Sequence, residues 1–188
     1  QSPYAATKIA ADQLALSYEK SFDLNITIAR PFNTYGPRQS LRAVLPTIAA
    51  QCMNQKSEEI KLGSLKPTRD FNYVGDTVRG FLSIAESERV KGKVVNIASD
   101  YEVSIGECVE IIQRILGTNK KVVTDDIRIR PNKSEVLRLY GSNKLLRQTT
   151  GWLPEFAGLN GLERGLSNMI RWMKEYKKEI GSSTTYMV

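Results

Sequence analysis

Short β-branched runs alternate with segments of helical period along this chain, and that alternation constrains the fold more than any other feature. "NITIAR" (25–30) and "KVVNIAS" (93–99) are brief and rich in Ile and Val, the pattern of buried strands. "EIKLGS" (59–64) and "RDFNYV" (69–74) read as two more short strands. Residues 4–21, 43–55 and 75–88 read as helices; the first carries Ile9, Leu14, Leu16 and Tyr18 with alanines between them. A further helix is signed at both ends. Ser104 and Glu107 have capping-box spacing, Ile105, Cys108, Val109, Ile112, Ile115 and Leu116 recur behind them, and Gly117 stops the run. Leu162, Leu166, Met169, Ile170 and Met173 mark a closing helix. The two prolines and glycine of "PFNTYGPR" (31–38) predict a loop, as does the polar "DDIRIRPNKSE" (125–135), and "GSSTTYMV" (181–188) reads as a frayed tail. Such alternation predicts an α/β protein.

A chain of 188 residues with 41% hydrophobic content can bury a core for one domain, or one and a fraction. It has no histidine, which excludes Ser–His and Cys–His mechanisms and disfavours a zinc site. Proton chemistry must then come from Tyr, Lys, Asp or Glu. The net charge of +7 suits an anionic partner. Because the basic residues are dispersed and no aromatics interleave with them, the expected partner is a phosphorylated small molecule and not nucleic acid. No apolar run approaches the roughly 18 residues of a membrane span, and the polar start has no signal-peptide pattern. Cys52 and Cys108 fall in apolar helical patterns, which predicts buried thiols and a cytoplasmic protein.

The chemistry-bearing stretch is "QSPYAATK" (1–8). Ser2 can cap a helix and Pro3 suits its first turn. Tyr4 and Lys8 then share one face, with Ala5, Ala6, Ala10 and Ala11 leaving room for close approach. An ammonium beside a phenol favours release of the phenolic proton, so the two form a candidate proton-transfer pair. The alternative is a surface pair on a capped helix. Tyr140 and Lys144 have the same spacing, but Gly141 and Ser142 argue against a helix there. No Gly-rich turn joins a strand to a helix: "GLNGLERG" (158–165) follows no strand and has the wrong spacing for a phosphate cradle.

Four blocks, "SPYAATKIAADQL", "ARPFNTYGPRQS", "PTRDFNYVGDTVRGF" and "VVNIAS", resemble, in that order, the C-terminal half of the extended short-chain dehydrogenase/reductases. More narrowly, they resemble the NAD-dependent sugar-nucleotide epimerase/dehydratase family. The resemblance covers most of residues 2–150. Within the family, "RPFNTYGPRQS…VLPTI" and "RPNKSEV" are most similar to 4,6-dehydratases of the UDP-N-acetylglucosamine type. It implies an α/β fold: the end of a Rossmann-like sheet with the Tyr/Lys helix, plus a smaller substrate-binding lobe. Residues 1–40 would be the remnant of the NAD-binding domain, 41–180 mainly the substrate lobe with some segments returning to the Rossmann part, and 181–188 a tail.

Carried over by position, the resemblance implies Tyr4 as catalytic base, with Lys8 as its partner and a ligand of the nicotinamide ribose. Pro31 and Phe32 would lie near the nicotinamide, and Asn33 would meet the substrate's diphosphate or sugar. Val44, Ile60 and Leu62 would line the base. Arg69, Asn96 and Arg130 would hold the ribose and phosphates, a role suited to the planar guanidinium fork in the case of the arginines. Other readings remain open: a surface Arg69–Asp70 ion pair, an Asx-type turn at Asn33, a capping role for Asn96, an ordinary loop cation at Arg130, and core or interface positions for Trp152 and Trp172. The family's glycine fingerprint and its Ser/Thr catalytic partner have no counterpart here, so residue 1 reads as a mid-protein position and the chain alone is expected to bind NAD weakly and to be inactive. A 4-epimerase and a 4,6-dehydratase share oxidation at C4, and in the family the residues that separate them lie upstream of the tyrosine. The "RPFNTYGPRQS" loop favours the dehydratase; the alternatives are a 4-epimerase and a non-catalytic nucleotide-sugar-binding module. The second face of helix 4–21, with Leu14, Leu16 and Tyr18, predicts a homodimer, as the family pairs this helix with its mate.

Overall fold

The computed structural model describes residues 2–128 and 136–176. In chain order the elements are α1 (Pro3–Phe22), β1 (Ile28–Pro31), β2 (Asn33–Tyr35), α2 (Val44–Met53), β3 (Glu59–Leu62), β4 (Thr68–Tyr73), α3 (Val74–Ala85), β5 (Val94–Ile97), β6 (Glu102–Ser104), α4 (Ile105–Leu116), β7 (Lys121–Thr124), β8 (Arg138–Leu139), α5 (Lys144–Thr150) and α6 (Gly158–Glu175).

Local chemistry accounts for the best-defined helix. Ser104 Oγ accepts from the Glu107 N–H at 3.1 Å while Glu107 Oε2 accepts from the Ser104 N–H at 2.8 Å, closing the capping box. At the other end of α4, Gly117 takes the left-handed conformation (φ +65°) that ends a helix at little cost. Among the described residues, no helix is long and apolar enough to cross a membrane.

Among the described residues the strands form three small groups. β1 pairs with β5 in parallel, Ile28 opposite Val94 and Pro31 opposite Ile97. β4 is central to a second group, parallel to β2 and β8 and antiparallel to β6. β3 and β7 pair in parallel. Two hydrophobic cores result. The larger packs α2, α4 and α6 through Ile48, Ile112, Leu166 and Met169, and includes Cys52 and Cys108 as free thiols. Burial pushes the Cys108 thiol up to about 12, so it is inert near neutral pH. The smaller core lies at the β1–β5 pair and joins Val95 and Ile97 to Ile84, Leu146 and Trp152.

The α/β class, the five helices and the four strands read from the sequence are present, but three short elements differ from expectation. "PFNTYGPR" contains β2, which exists because Asn33–Tyr35 pairs with Phe71–Tyr73 of β4. β6 precedes the capping box, and α5 follows Gly141 and Ser142, with Lys144 at its first position and Tyr140 outside it. Within 125–135, Asp126–Arg128 form a 3-10 turn; 129–135 lie outside the described residues. Trp152 is buried in the smaller core, whereas Trp172 packs at the edge of the larger one.

α1 is set apart from both cores. None of its residues is buried, and Tyr4, Ile9, Leu14, Tyr18 and Phe22 are exposed. Polar contacts tie it down: Arg30 Nε to Asp12 at 2.9 Å and Lys91 Nζ to Asp23 at 2.8 Å.

Candidate functional site

Ser2 is extended (φ −143°, ψ 155°) and its Oγ accepts from the Ala5 N–H at 3.1 Å, fixing the first turn of α1. One turn apart on that helix, Lys8 Nζ stands 5.5 Å from the centre of the Tyr4 ring, within range of a cation–π contact. The Tyr4 residue is 71% exposed. An accessible phenol with a cation beside it can give up and take back a proton from a bound molecule.

Pro31 ends β1, and the Phe32 N–H donates to Ile97 O at 2.9 Å. The Phe32 ring lies so close under Gly141 that a Cβ there would come within 2.7 Å of it. From this crossing the chain enters β2 and the wall of a cleft.

The cleft, of about 550 Å³, lies between β2, the start of α2, the end of β3 and β4. It brings together Asn33, Val44, Leu62 and Arg69, four residues singled out in the sequence. Arg42 and Arg128 join Arg69 in the lining, and no carboxylate among the described residues lines it. Three guanidinium groups beside an apolar wall of Val44, Leu62 and Leu139 suit a ligand with an anionic part and a flat apolar part. Arg69 Nη1 donates to Thr68 O at 2.8 Å, and Arg128 Nε to Asp125 Oδ2 at 3.0 Å, which orients both forks. Gln39 also lines the cleft; its Nε2 donates to Thr34 O at 2.8 Å.

The other expected residues lie elsewhere. Ile60 is fully buried (0% exposed) in the larger core and does not line the cleft. It points to the same side of β3 as Leu62, but only the strand's end reaches the opening. Asn96 sits on β5 opposite Arg30, with Nδ2 donating to Ser142 O at 3.5 Å; Pro31 ends the paired strand β1, and Phe32 follows it with its N–H on Ile97 O. Arg130 lies outside the described residues. Sequence reasoning missed Arg42 and Arg128; their one signal was a cation in a loop flanking a strand or helix of the expected site.

Asp70 is fully buried on the opposite face of β4 from Arg69. It accepts from the Ser99 N–H at 2.9 Å, Ser99 Oγ at 2.8 Å and the Asp100 N–H at 3.1 Å. Burial pushes its carboxyl up, and these donors oppose the shift. Its place is structural: it fastens the β5–β6 turn behind the cleft.

The GDP-mannose 4,6 dehydratase family model matches residues 1–165. The chain is 31% identical over 183 residues to the GDP-6-deoxy-D-mannose reductase of Pseudomonas aeruginosa, covering 95% of this chain and 58% of that protein. It is 28% identical to the UDP-glucuronate 4-epimerase of Thermodesulfobacterium geofontis, covering 93% and 51%. Its fold superimposes with a TM-score of 0.82 on the dTDP-glucose 4,6-dehydratase of Bacillus anthracis in complex with NAD, at 25% identity and covering 96% of this chain and 56% of that one. The chain thus spans about half the length of the relatives it matches. NAD-type dinucleotides are the cofactors of this family: solved structures similar to this chain hold NADPH or NAD. Together the matched family model and the shared fold place this chain in the GDP-mannose 4,6 dehydratase family of extended short-chain dehydrogenase/reductases, among sugar-nucleotide dehydratases and epimerases.

Proposed function

We propose that this chain supplies the nucleotide-sugar cleft and the Tyr4/Lys8 helix of an NAD-dependent nucleotide-sugar 4,6-dehydratase, acting on UDP-N-acetylglucosamine or a related sugar nucleotide. The observation that carries the reading is the cleft itself: Asn33, Val44, Leu62 and Arg69 share one opening with two more arginines. The diphosphate would lie against Arg69 and Arg42, the base between Val44 and Leu62, and the sugar toward Asn33. Guanidinium groups match the charge of a diphosphate and can grip it at two oxygens each. The relatives named above act on GDP-, UDP- and dTDP-linked sugars, which supports the diphosphate as the shared handle and leaves the base to the apolar wall.

In this reading Lys8 would hold Tyr4 as the phenolate and bind the nicotinamide ribose, and that phenolate would take the proton of the sugar's C4 hydroxyl and become the phenol. Pro31 and Phe32 hold the strand end against which the nicotinamide rests. When bound, the dinucleotide would supply the acceptor of the C4 hydride and later its donor to C6, after water has left across C5 and C6. Elimination of water across C5 and C6 distinguishes the dehydratase from an epimerase, which returns the hydride to C4. Dimerisation through α1 would cover the exposed Leu14 and Tyr18.

The test is calorimetric titration of this chain with UDP-N-acetylglucosamine, UDP, GDP and dTDP, followed by NMR of a mixture of NAD, UDP-N-acetylglucosamine and the full-length protein that carries this chain. A 4-keto-6-deoxy sugar is the expected product. Conversion to the C4 epimer would assign the 4-epimerase, binding without conversion a binding module, and no binding of any nucleotide would end the reading.

A further inference from the structure

β8 is two residues long, yet it builds one side of the cleft: Leu139 lines it, as does Val136 just before the strand. Its backbone pairing is slight. Thr68 is opposite Arg138, Arg69 is opposite Leu139, and the Thr68 N–H donates to Leu137 O at 2.8 Å. So few ladder bonds hold a strand only weakly. Side chains add the rest. Thr68 is paired with both Arg138 of β8 and Ser104 of β6, so β4 runs between those two strands. The Arg138 side chain spans β4 to reach Glu102 on β6. Arg138 Nε donates to Oε1 at 2.8 Å and to Oε2 at 2.9 Å, and Nη2 to Oε2 at 2.8 Å. Glu102 Oε1 also accepts from Thr68 Oγ1, beneath the bridge. Beyond the strand, Tyr140 OH donates to Asp100 Oδ1 at 2.6 Å, and the Arg138 guanidinium lies 5.4 Å from the Tyr140 ring centre.

We propose that the Arg138–Glu102 pair is a clamp that positions β8, and that this clamp sets the affinity of the cleft for nucleotide diphosphates; the inference rests on the function proposed above. Neither residue lines the cleft, so both are positioning residues acting through Leu139, Val136 and the register of Arg69. Isolated surface ion pairs contribute little, but a two-pronged Arg–carboxylate contact sharing a third partner is the geometry in which they matter. The clamp also explains why so short a strand has a single register: shifting β8 by one residue would turn Arg138 to the other face and Leu139 out of the cleft.

The experiment uses Arg138→Met, Arg138→Lys and the unaltered protein, with UDP as probe. Hydrogen exchange at the Thr68 amide, whose acceptor is Leu137 O, reports β8 docking directly. Arg138→Met is expected to speed that exchange about fivefold and weaken UDP binding about fivefold. Arg138→Lys should recover part of both. Unchanged exchange in Arg138→Met would overturn the clamp; faster exchange with unaltered UDP affinity would overturn its effect on the cleft. Failure of the unaltered protein to bind UDP, GDP or dTDP would remove the nucleotide-cleft reading and this inference with it, and that failure is visible before any substitution is made.

Discussion

Replacing Gly63 by alanine puts one methyl group where the cleft wall has no room for it. Gly63 follows β3, and a Cβ there would lie 2.5 Å from Arg128 O and 3.1 Å from its carbonyl carbon, against an ordinary contact of 3.4 Å or more. The 126–128 turn would have to retreat by about 0.9 Å, the difference between 3.4 and 2.5 Å. That turn is held by the Asp125 N–H on Leu62 O at 2.8 Å and the Arg128 N–H on Asp125 O at 2.9 Å. Overpacking of this kind costs about 1–3 kcal/mol. Reduced freedom of the unfolded chain returns about 0.4–1 kcal/mol. The net loss is then up to about 2.6 kcal/mol and about 1.3 kcal/mol at mid-range, the latter a fall in Tm of about 3–5 °C for a chain of this size. Because Arg128 lines the cleft, UDP affinity should fall as well. Differential scanning calorimetry and a UDP titration read both effects. Gly106→Ala is the contrast: it lies in α4, its Cβ would be 3.7 Å from Leu65, and its Tm should rise by the equivalent of up to about 1 kcal/mol. If the two substitutions shift Tm in the same direction, the steric reasoning is wrong.

Three further outcomes are expected. Lys120→Met removes an ammonium that donates to Gln51 O, Asn54 O and Ser57 O at 2.9, 2.5 and 2.8 Å around the end of α2; the loss should be about 2 kcal/mol in urea unfolding, with the slope m unchanged. Tyr4→Phe should leave Tm within error, since the side chain is exposed, while lowering NAD-dependent turnover of the nucleotide sugar by the full-length protein that carries this chain by about 10²–10⁴-fold; normal turnover would remove Tyr4 from the chemistry. Glu107 is held below the usual carboxylate range by the hydroxyl and N–H of Ser104, so the stability it contributes is full above its unfolded-chain value, about 4.3, and is lost as pH falls through its lower folded value. The gap in Tm between the unaltered protein and Glu107→Gln should therefore narrow from pH 6 toward about pH 3; a constant gap would show that the carboxylate's charge is irrelevant to the cap. Buried Asp70 is shifted the opposite way, favours the folded chain on acidification, and is common to both proteins in that comparison.

Features that depend on neighbours in the chain could be read from the sequence alone. The Ser104–Glu107 box, the Gly117 stop and the Ser2–Pro3 start of α1 involve atoms at most four residues apart, so their chemistry is written locally. The same holds for Tyr4 and Lys8, which one helical turn brings together. β1 and β5 were readable because a run of Ile and Val has few other uses. Tertiary structure decided the rest. β2, β6 and β8 are two or three residues long and are strands only because β4 lies alongside them. Ile60 and Leu62 are indistinguishable in a strand of period two, yet packing seals Ile60 into the core and leaves Leu62 at the opening. Arg69 and Asp70 are adjacent in sequence and face opposite ways, one toward the cleft and the other buried under the β5–β6 turn. A local pattern sets which side of an element a residue takes; what stands on that side depends on segments tens of residues away, and in this chain that is what makes the cleft.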